Sequence, residues 1–410
     1  IREGDTEFVG YDELTCETQV LRYRRVEQKG KALYQVVLSK TPFYAEMGGQ
    51  VGDSGTLGNI RIIDTKRENN LSVHLCAELP AEIEGTLVAT VDTARRQAIA
   101  CNHTATHIVH YALRQVLGEH VEQKGSYVSP DSLRFDFSHF QKVLAEELRQ
   151  VEILANEMIR QDWALEESRN TPIAKAKEMG AMALFGEKYG DEVRVIKYGP
   201  SAELCGGCHV ASTGKIGAVR IVMETSVAAG IRRIEAVTAA KADELYYKQV
   251  DTLNNLRALF NNAPDLAGAI RKAIDENAGL KKQIETFMAE KVERYCDELI
   301  AKAEDYNGIQ LVRLTGNVDP TLLRNMPLII KNKIAGKHFA LVAATEWEGK
   351  PMIAVVLSPS MVEAGKNAGQ IIKSAAKNIQ GGGGGQPWMA TAGGRNVDGL
   401  AAAMDEMLNA

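Results

Sequence analysis

Over residues 1–90, apolar and polar positions alternate in short stretches, among them YQVVLS at 34–39, IRIID at 60–64, LSVHLC at 71–76 and GTLVATV at 85–91. A period of two places successive side chains on opposite faces of a strand, and the turn residues between the stretches separate one strand from the next. These residues predict a small β-barrel-like domain. One segment inside it, FYAEMGGQVGDSG at 43–55, is too rich in glycine for a strand. Gly48, Gly49 and Gly52 make it either a long hairpin connection or a loop whose backbone approaches a ligand closely.

At Val91 the period becomes helical. Residues 91–118 carry apolar positions three and four apart and end at Gly118, a residue suited to a helix C-terminus. A second long helix is predicted over 140–163, with SYVSPDSLRFDFSH between the two as a hairpin. Shorter elements follow, so an α+β domain is expected over 91–240. A helical linker or hairpin follows over 241–304, broken near Pro264. Beyond the break Leu266, Ile270, Ala273, Asn277, Leu280, Ile284 and Phe287 recur at alternating steps of four and three, a seam of coiled-coil type. Such a seam buries itself against the helix at 245–260 or against a second subunit. Residues 305–410 alternate strand and helix and predict a C-terminal α/β domain. Its glycine run at 381–385 reads as a flexible tether or as a backbone surface open to phosphate. The expected fold class is thus α+β multidomain.

Composition narrows the function classes. With 45% apolar and 25% charged residues, the chain has the make-up of a soluble globular protein. No apolar run approaches the roughly 18 residues of a membrane helix, and the start lacks a basic, then apolar, leader, so a cytoplasmic location and no membrane partner are expected. The first residue, Ile1, suggests a piece of a longer polypeptide. Six scattered cysteines point to a reducing compartment, not a disulfide framework. The net charge of −5 argues against a uniformly basic nucleic-acid coat but leaves room for a local basic patch.

Two histidine–cysteine clusters carry the chemistry. His103 and His107 are four apart in a helical segment, which stacks both imidazoles on one face; His110 lies a turn further on. About a hundred residues later, ELCGGCHV repeats the four-residue spacing with Cys205 and His209. Zinc favours imidazole nitrogen and thiolate sulfur, and two such pairs closing on one ion make a tetrahedral site. That site is either a structural clamp or a functional centre, and Cys208 is a competing thiol in a CxxC pair with Cys205.

With these residues assembled, the chain resembles the C-terminal portion of bacterial alanyl-tRNA synthetases: their editing domain followed by the C-terminal domain shared with DHH-type nucleases. FYAEMGGQVGDSG, NHTATHIVH, EQKGSYVSPDSLRFDFSH, ELCGGCHVASTGKIG and GIRRIEAVT match family blocks in order and spacing, over essentially the whole chain. Cys208 stands where that family usually has threonine, and Met47 where serine is common. The aspartate-rich motifs of DHH-type nucleases are absent, which disfavours a nuclease.

The resemblance implies a zinc-containing editing domain with His103, His107, Cys205 and His209 as ligands. It implies hydrolysis of mischarged seryl- and glycyl-tRNA(Ala), with Gln123 and Glu46 as candidates to orient the attacking water or read the amino acid. For tRNA contact it points to Arg95, Arg96, Lys124, Arg134, Arg232 and Arg233 in the matching blocks, and to Gly381, Gly382 and Gly383 in the last domain. That domain is also expected to form a homodimer. ATP-dependent alanylation, with its ATP and Mg2+, is assigned to an N-terminal part outside this chain. A competing expectation is a tRNA-binding and dimerisation module whose zinc is purely structural.

Overall fold

Strands form where the period is two. In a computed structural model that describes residues 4–28, 30–182, 190–334 and 336–410, the stretches of the first ninety residues make one antiparallel seven-stranded sheet. Its spatial order is Thr15–Thr18, Leu87–Val91, Gly55–Leu57, Ile60–Glu68, Leu71–Cys76, Lys31–Leu38 and Val20–Gln28. The two edge strands are consecutive in sequence with Gln19 alone between them, so the sheet has to curl until its edges approach. The result is an open half-barrel, not a closed one. Its concave face buries Val36, Leu38, Leu57, Ile60, Ile62 and Cys76.

His74 is sealed into this domain. Its Nδ1–H donates to the Val36 carbonyl at 3.0 Å, so Nε2 accepts from the Thr41 hydroxyl at 2.7 Å. Burial favours the neutral ring and holds its pKa down to about 4.

Helix α1 (Thr93–Leu117) begins at Asp92, whose side chain accepts from the Arg95 N–H at 3.0 Å, and stops before Gly118. Together with α2 (Ala145–Arg160), it packs on a four-stranded antiparallel sheet ordered Gln123–Val128, Leu133–Ser138, Ile231–Thr238, Val219–Ala228. The shared core holds Ile108, Leu113, Phe135, Phe137, Val151 and Ile159. Since α1 lies deep in this layer, nearly every residue from Ile99 to His110 is buried, its histidines included. A second sheet, Glu166–Pro172, Glu192–Tyr198 and Ser201–Leu204, delivers the chain to Cys205. Helices α3 (Ile173–Glu178) and α4 (Ala239–Leu259) complete this half.

The chain divides into two compact units, Ile1–Leu256 and Arg257–Ala410. In the second, α5 (Leu266–Ala301) leads into a six-stranded sheet ordered Glu304–Tyr306, Ile309–Asn317, Phe339–Trp347, Lys350–Leu357, Met389–Gly393, Gly382–Gln386. Helix α6 (Pro320–Lys333) crosses between the one parallel pair in it, Ile309–Asn317 and Phe339–Trp347. It packs with the end of α5 on one face through Val292, Cys296, Leu323 and Ile330. Helices α7 (Pro359–Glu363), α8 (Ala368–Ala375) and α9 (Leu400–Asn409) follow, and Met361, Ile372 and Ala403 cover the other face.

Two expectations change here. The glycine run is not a tether: Gly382–Gln386 is an edge strand paired antiparallel with Met389–Gly393. A Cβ on Gly381, Gly383 or Gly385 would strike the carbonyls of Gly393, Thr391 or Met389, so the close pairing itself requires glycine. On α5, the predicted seam lies open to solvent in this chain, with Leu280 58%, Ile284 60% and Phe287 68% exposed. Among the described residues, no helix is long and apolar enough to cross a membrane.

His74 yields a pH prediction. The unfolded ring takes a proton near pH 6.5 and the folded one only near 4, so between these values the unfolded chain binds more protons and stability falls as pH falls. The window is worth about 3 kcal/mol at most. Between pH 7 and pH 4.5, urea melts are expected to show His74→Gln losing less stability than the native chain, by most of that amount.

Candidate metal centre and cleft

The two histidines of α1 and the Cys205–His209 turn meet, although a hundred residues separate them in sequence. One donor atom from each of His103, His107, Cys205 and His209 lies within 4.8 Å of all the others. Cys205 Sγ is 3.4 Å from His103 Nε2 and 3.3 Å from His209 Nε2, and the three imidazole rings stand 4.6–5.5 Å apart. This close approach requires Gly207, because a Cβ there would overlap the His103 ring.

Each ring is held from behind, at Nδ1. His103 Nδ1–H donates to Gln50 Oε1 at 2.7 Å, which leaves the Nε2 lone pair facing the cluster. His209 Nδ1 sits 3.1 Å from Thr104 Oγ1. His107 Nδ1 faces the Glu203 carboxylate at 3.6 Å, too long for a hydrogen bond but close enough for attraction, while His110 donates to the same carboxylate at 2.9 Å. His110 is therefore a partner of Glu203 and not a fifth ligand. Outer partners of this kind fix the ring tautomer and orient metal-binding histidines.

The electrostatics suit a cation. Desolvation holds His103 down to about 3 and lowers His107 and His209 as well, so all three rings are neutral and offer lone pairs. The same desolvation pushes the Cys205 thiol up to about 12, so it ionises only beside a positive charge. Burial works to raise Glu203, but the facing His107 and His110 outweigh it and hold the carboxyl down to about 2. One divalent ion, one thiolate and one Glu203 carboxylate sum to zero charge. The donor set fits zinc.

Among the described residues, Cys208 lies outside the ligand group; its N–H donates to Gln50 Oε1 at 2.9 Å, and its buried thiol sits toward Arg96 and Asp53.

The cluster forms one wall of a cleft of about 380 Å3, lined also by Tyr44, Met47, Thr106, Gln123, Ser126 and Arg194. Gln123, at the start of its strand, thus reaches the cleft. Glu46 does not line it; it is half exposed and pairs with Lys66 at 3.7 Å.

Of the basic residues, Arg96 is interior, which corrects its reading as an RNA contact. It is 6% exposed, pairs with Asp53 through Nε and Nη2, and donates to the carbonyls of Gly10 and Pro42. Arg95 donates to the Gly52 carbonyl at 2.8 Å, Lys124 pairs with Glu122, Arg232 with Glu224 and Arg233 with Asp136. Arg134 lies over the Tyr127 ring at 5.6 Å. The glycines Gly381–Gly383 belong to the second unit. Sequence reasoning missed Gln50, Glu203, Thr104 and Arg194. Gln50 alone carried a signal, through its place in the glycine-rich loop.

Three family descriptions match the chain: "tRNA synthetases class II (A)" over 2–95, "Threonyl and Alanyl tRNA synthetase second additional domain" over 193–235, and "DHHA1 domain" over 307–410. An alanine–tRNA ligase of Parabacteroides distasonis is 55% identical over 98% of this chain and 47% of its own length. One of Bacteroides fragilis is 56% identical over 100% and 47%. This chain thus spans about half the length of the curated relatives it matches. Among solved structures, the C-Ala domain of the Aquifex aeolicus alanyl-tRNA synthetase aligns over 26% of this chain and 98% of its own, with 24% identity and a TM-score of 0.24.

The role of Gln50 can be measured. Gln50→Ala removes the acceptor for His103 Nδ1–H and is expected to weaken zinc about 10- to 100-fold in competition with a chromophoric chelator. An unchanged affinity would show that the outer partner is idle.

Proposed function

Since the chain belongs to the alanine–tRNA ligase family, as part of a longer protein, we propose that its cleft hydrolyses the ester of mischarged seryl- and glycyl-tRNA(Ala). The observation that carries this reading is that His103, His107 and Cys205, although largely buried, line the wall of the cleft. A purely structural clamp needs no cleft beside it. The competing structural reading draws on the same donor set, since four protein ligands fill a tetrahedral shell.

A site built for alanine rejects glycine, or serine with its added hydroxyl, by only about 1–3 kcal/mol, whereas translation needs roughly 10,000-fold discrimination. A second, hydrolytic site answers that need. The cleft volume of about 380 Å3 suits a terminal aminoacyl nucleotide. A zinc ion held by His103, His107, Cys205 and His209 would supply positive charge at the cleft wall that helps orient the tRNA end. Gln123 then orients the attacking water or reads the amino-acid side chain. Arg95, Lys124, Arg134, Arg232 and Arg233 guide the acceptor stem, with Gly381, Gly382 and Gly383 as a contact in the second unit. ATP-dependent alanylation belongs to the rest of the parent protein, which acts in the cytoplasm.

The test is to mix the chain with seryl-tRNA(Ala) and follow release of serine, with and without a chelator. Rapid release that the chelator stops is expected, with Gln123→Ala slower by about 100-fold. Retained serine, or indifference to the chelator, overturns the metal-centred reading. Cys205→Ala separates the competing roles: lost hydrolysis in a folded chain supports chemistry, and global unfolding supports a clamp.

The exposed seam of α5 is assigned to pairing with a second copy of the chain, because Leu280, Ile284 and Phe287 repeat at coiled-coil spacing. Light scattering is expected to show a dimer that Ile284→Glu converts to monomer. A native chain that stays monomeric at micromolar concentration removes this assignment.

A further inference from the structure

The turn that carries Cys205 is gripped from outside by a residue of the half-barrel domain. Tyr11 donates from its hydroxyl to the Gly206 carbonyl at 2.5 Å. Its ring lies under the Arg194 guanidinium, with 3.9 Å from Cζ to the ring centroid. From that position, Arg194 Nη1 donates to the carbonyls of Cys205 at 3.0 Å and Gly207 at 2.6 Å. All three consecutive carbonyls of Cys205–Gly207 are therefore held on the outer side. The Arg194 carbonyl accepts from the Cys205 N–H at 3.0 Å, so one residue grips Cys205 through both its backbone and its side chain.

Peptide planes have two ends. With the carbonyls turned outward, the amides turn inward: the Gly207 N–H donates to Cys205 Sγ at 3.3 Å and the Cys208 N–H to Gln50 Oε1 at 2.9 Å. The first supports a thiolate. The second orients the acceptor that fixes His103. The guanidinium is itself braced, since Arg194 Nε donates to Glu167 at 2.5 Å, and Arg169 joins Glu167 to Asp12, next to Tyr11.

We propose that Tyr11 and Arg194 are a positioning pair: by holding the Cys205–Gly207 carbonyls they set the geometry of Cys205 and, through Gln50, of His103 toward a bound metal. The half-barrel domain thereby becomes part of the metal site's framework. This rests on the metal-centred reading above.

The test uses the 410-residue chain loaded with zinc or with cobalt as a spectroscopic substitute. Tyr11→Phe keeps the ring under Arg194 but loses the hydroxyl, whereas Tyr11→Ala loses both. The expected results are zinc release to a chromophoric chelator about 10-fold faster in Tyr11→Phe and faster still in Tyr11→Ala and Arg194→Lys, on the scale known for outer-partner mutations. The thiolate-to-cobalt charge-transfer band is expected to shift in all three, with the Tyr11→Phe melting curve unchanged. A role in stability alone moves the melt and leaves the cobalt band in place. Native release rates and an unshifted band in Tyr11→Phe and Tyr11→Ala overturn the proposal alone, and if Tyr11→Ala fails to fold, Tyr11→Phe decides. A native chain that takes up neither metal overturns the metal-centred reading and this proposal with it.

Discussion

The Cys205–His209 turn can lie against α1 because position 207 has no side chain. With a Cβ there, the His103 ring would have to move, and with it the lone pair that faces Cys205. Much else in the first unit follows from that contact. The turn brings the Cys208 N–H to Gln50, Gln50 holds His103, and the strand before the turn carries Glu203 to His107 and His110. A missing methyl group thus lets segments from three parts of the chain share one small volume.

The charges are arranged with the same economy. A carboxylate as buried as Glu203 is ordinarily neutral or paired. Here the facing His107 and His110 hold it ionised against the cost of burial. Arg194 is balanced by Glu167 and turned toward backbone carbonyls.

His103 and His107 were legible as a pair because a spacing of four on a helix means one face, whereas Cys205 and His209 have the same spacing on a turn that is not helical. The half-barrel, α1 and the α6 crossover were legible because their period is local. What could not be read depends on contacts far apart in sequence. Glu203 meets His110 across 93 positions and Tyr11 meets Gly206 across 195, and no local pattern marks either. Arg96 sits beside Arg95 in the sequence, yet a 100° turn of the helix sends one toward the surface and the other into a buried ion pair with Asp53. The glycine run did not read as a strand because glycine disfavours strands on average, whereas here Gly383 and Gly385 lie too close to the neighbouring strand's carbonyls for a side chain.

The separation of the two ligand pairs also matters during synthesis. His103 and His107 leave the ribosome about a hundred residues before Cys205 and His209. At roughly 5–20 residues per second, the helix pair waits on the order of 5–20 s for the other half of its site. In that interval, only His103 and His107 of the four clustered residues have been made. The four-residue group is therefore complete only in a chain that has grown past residue 209.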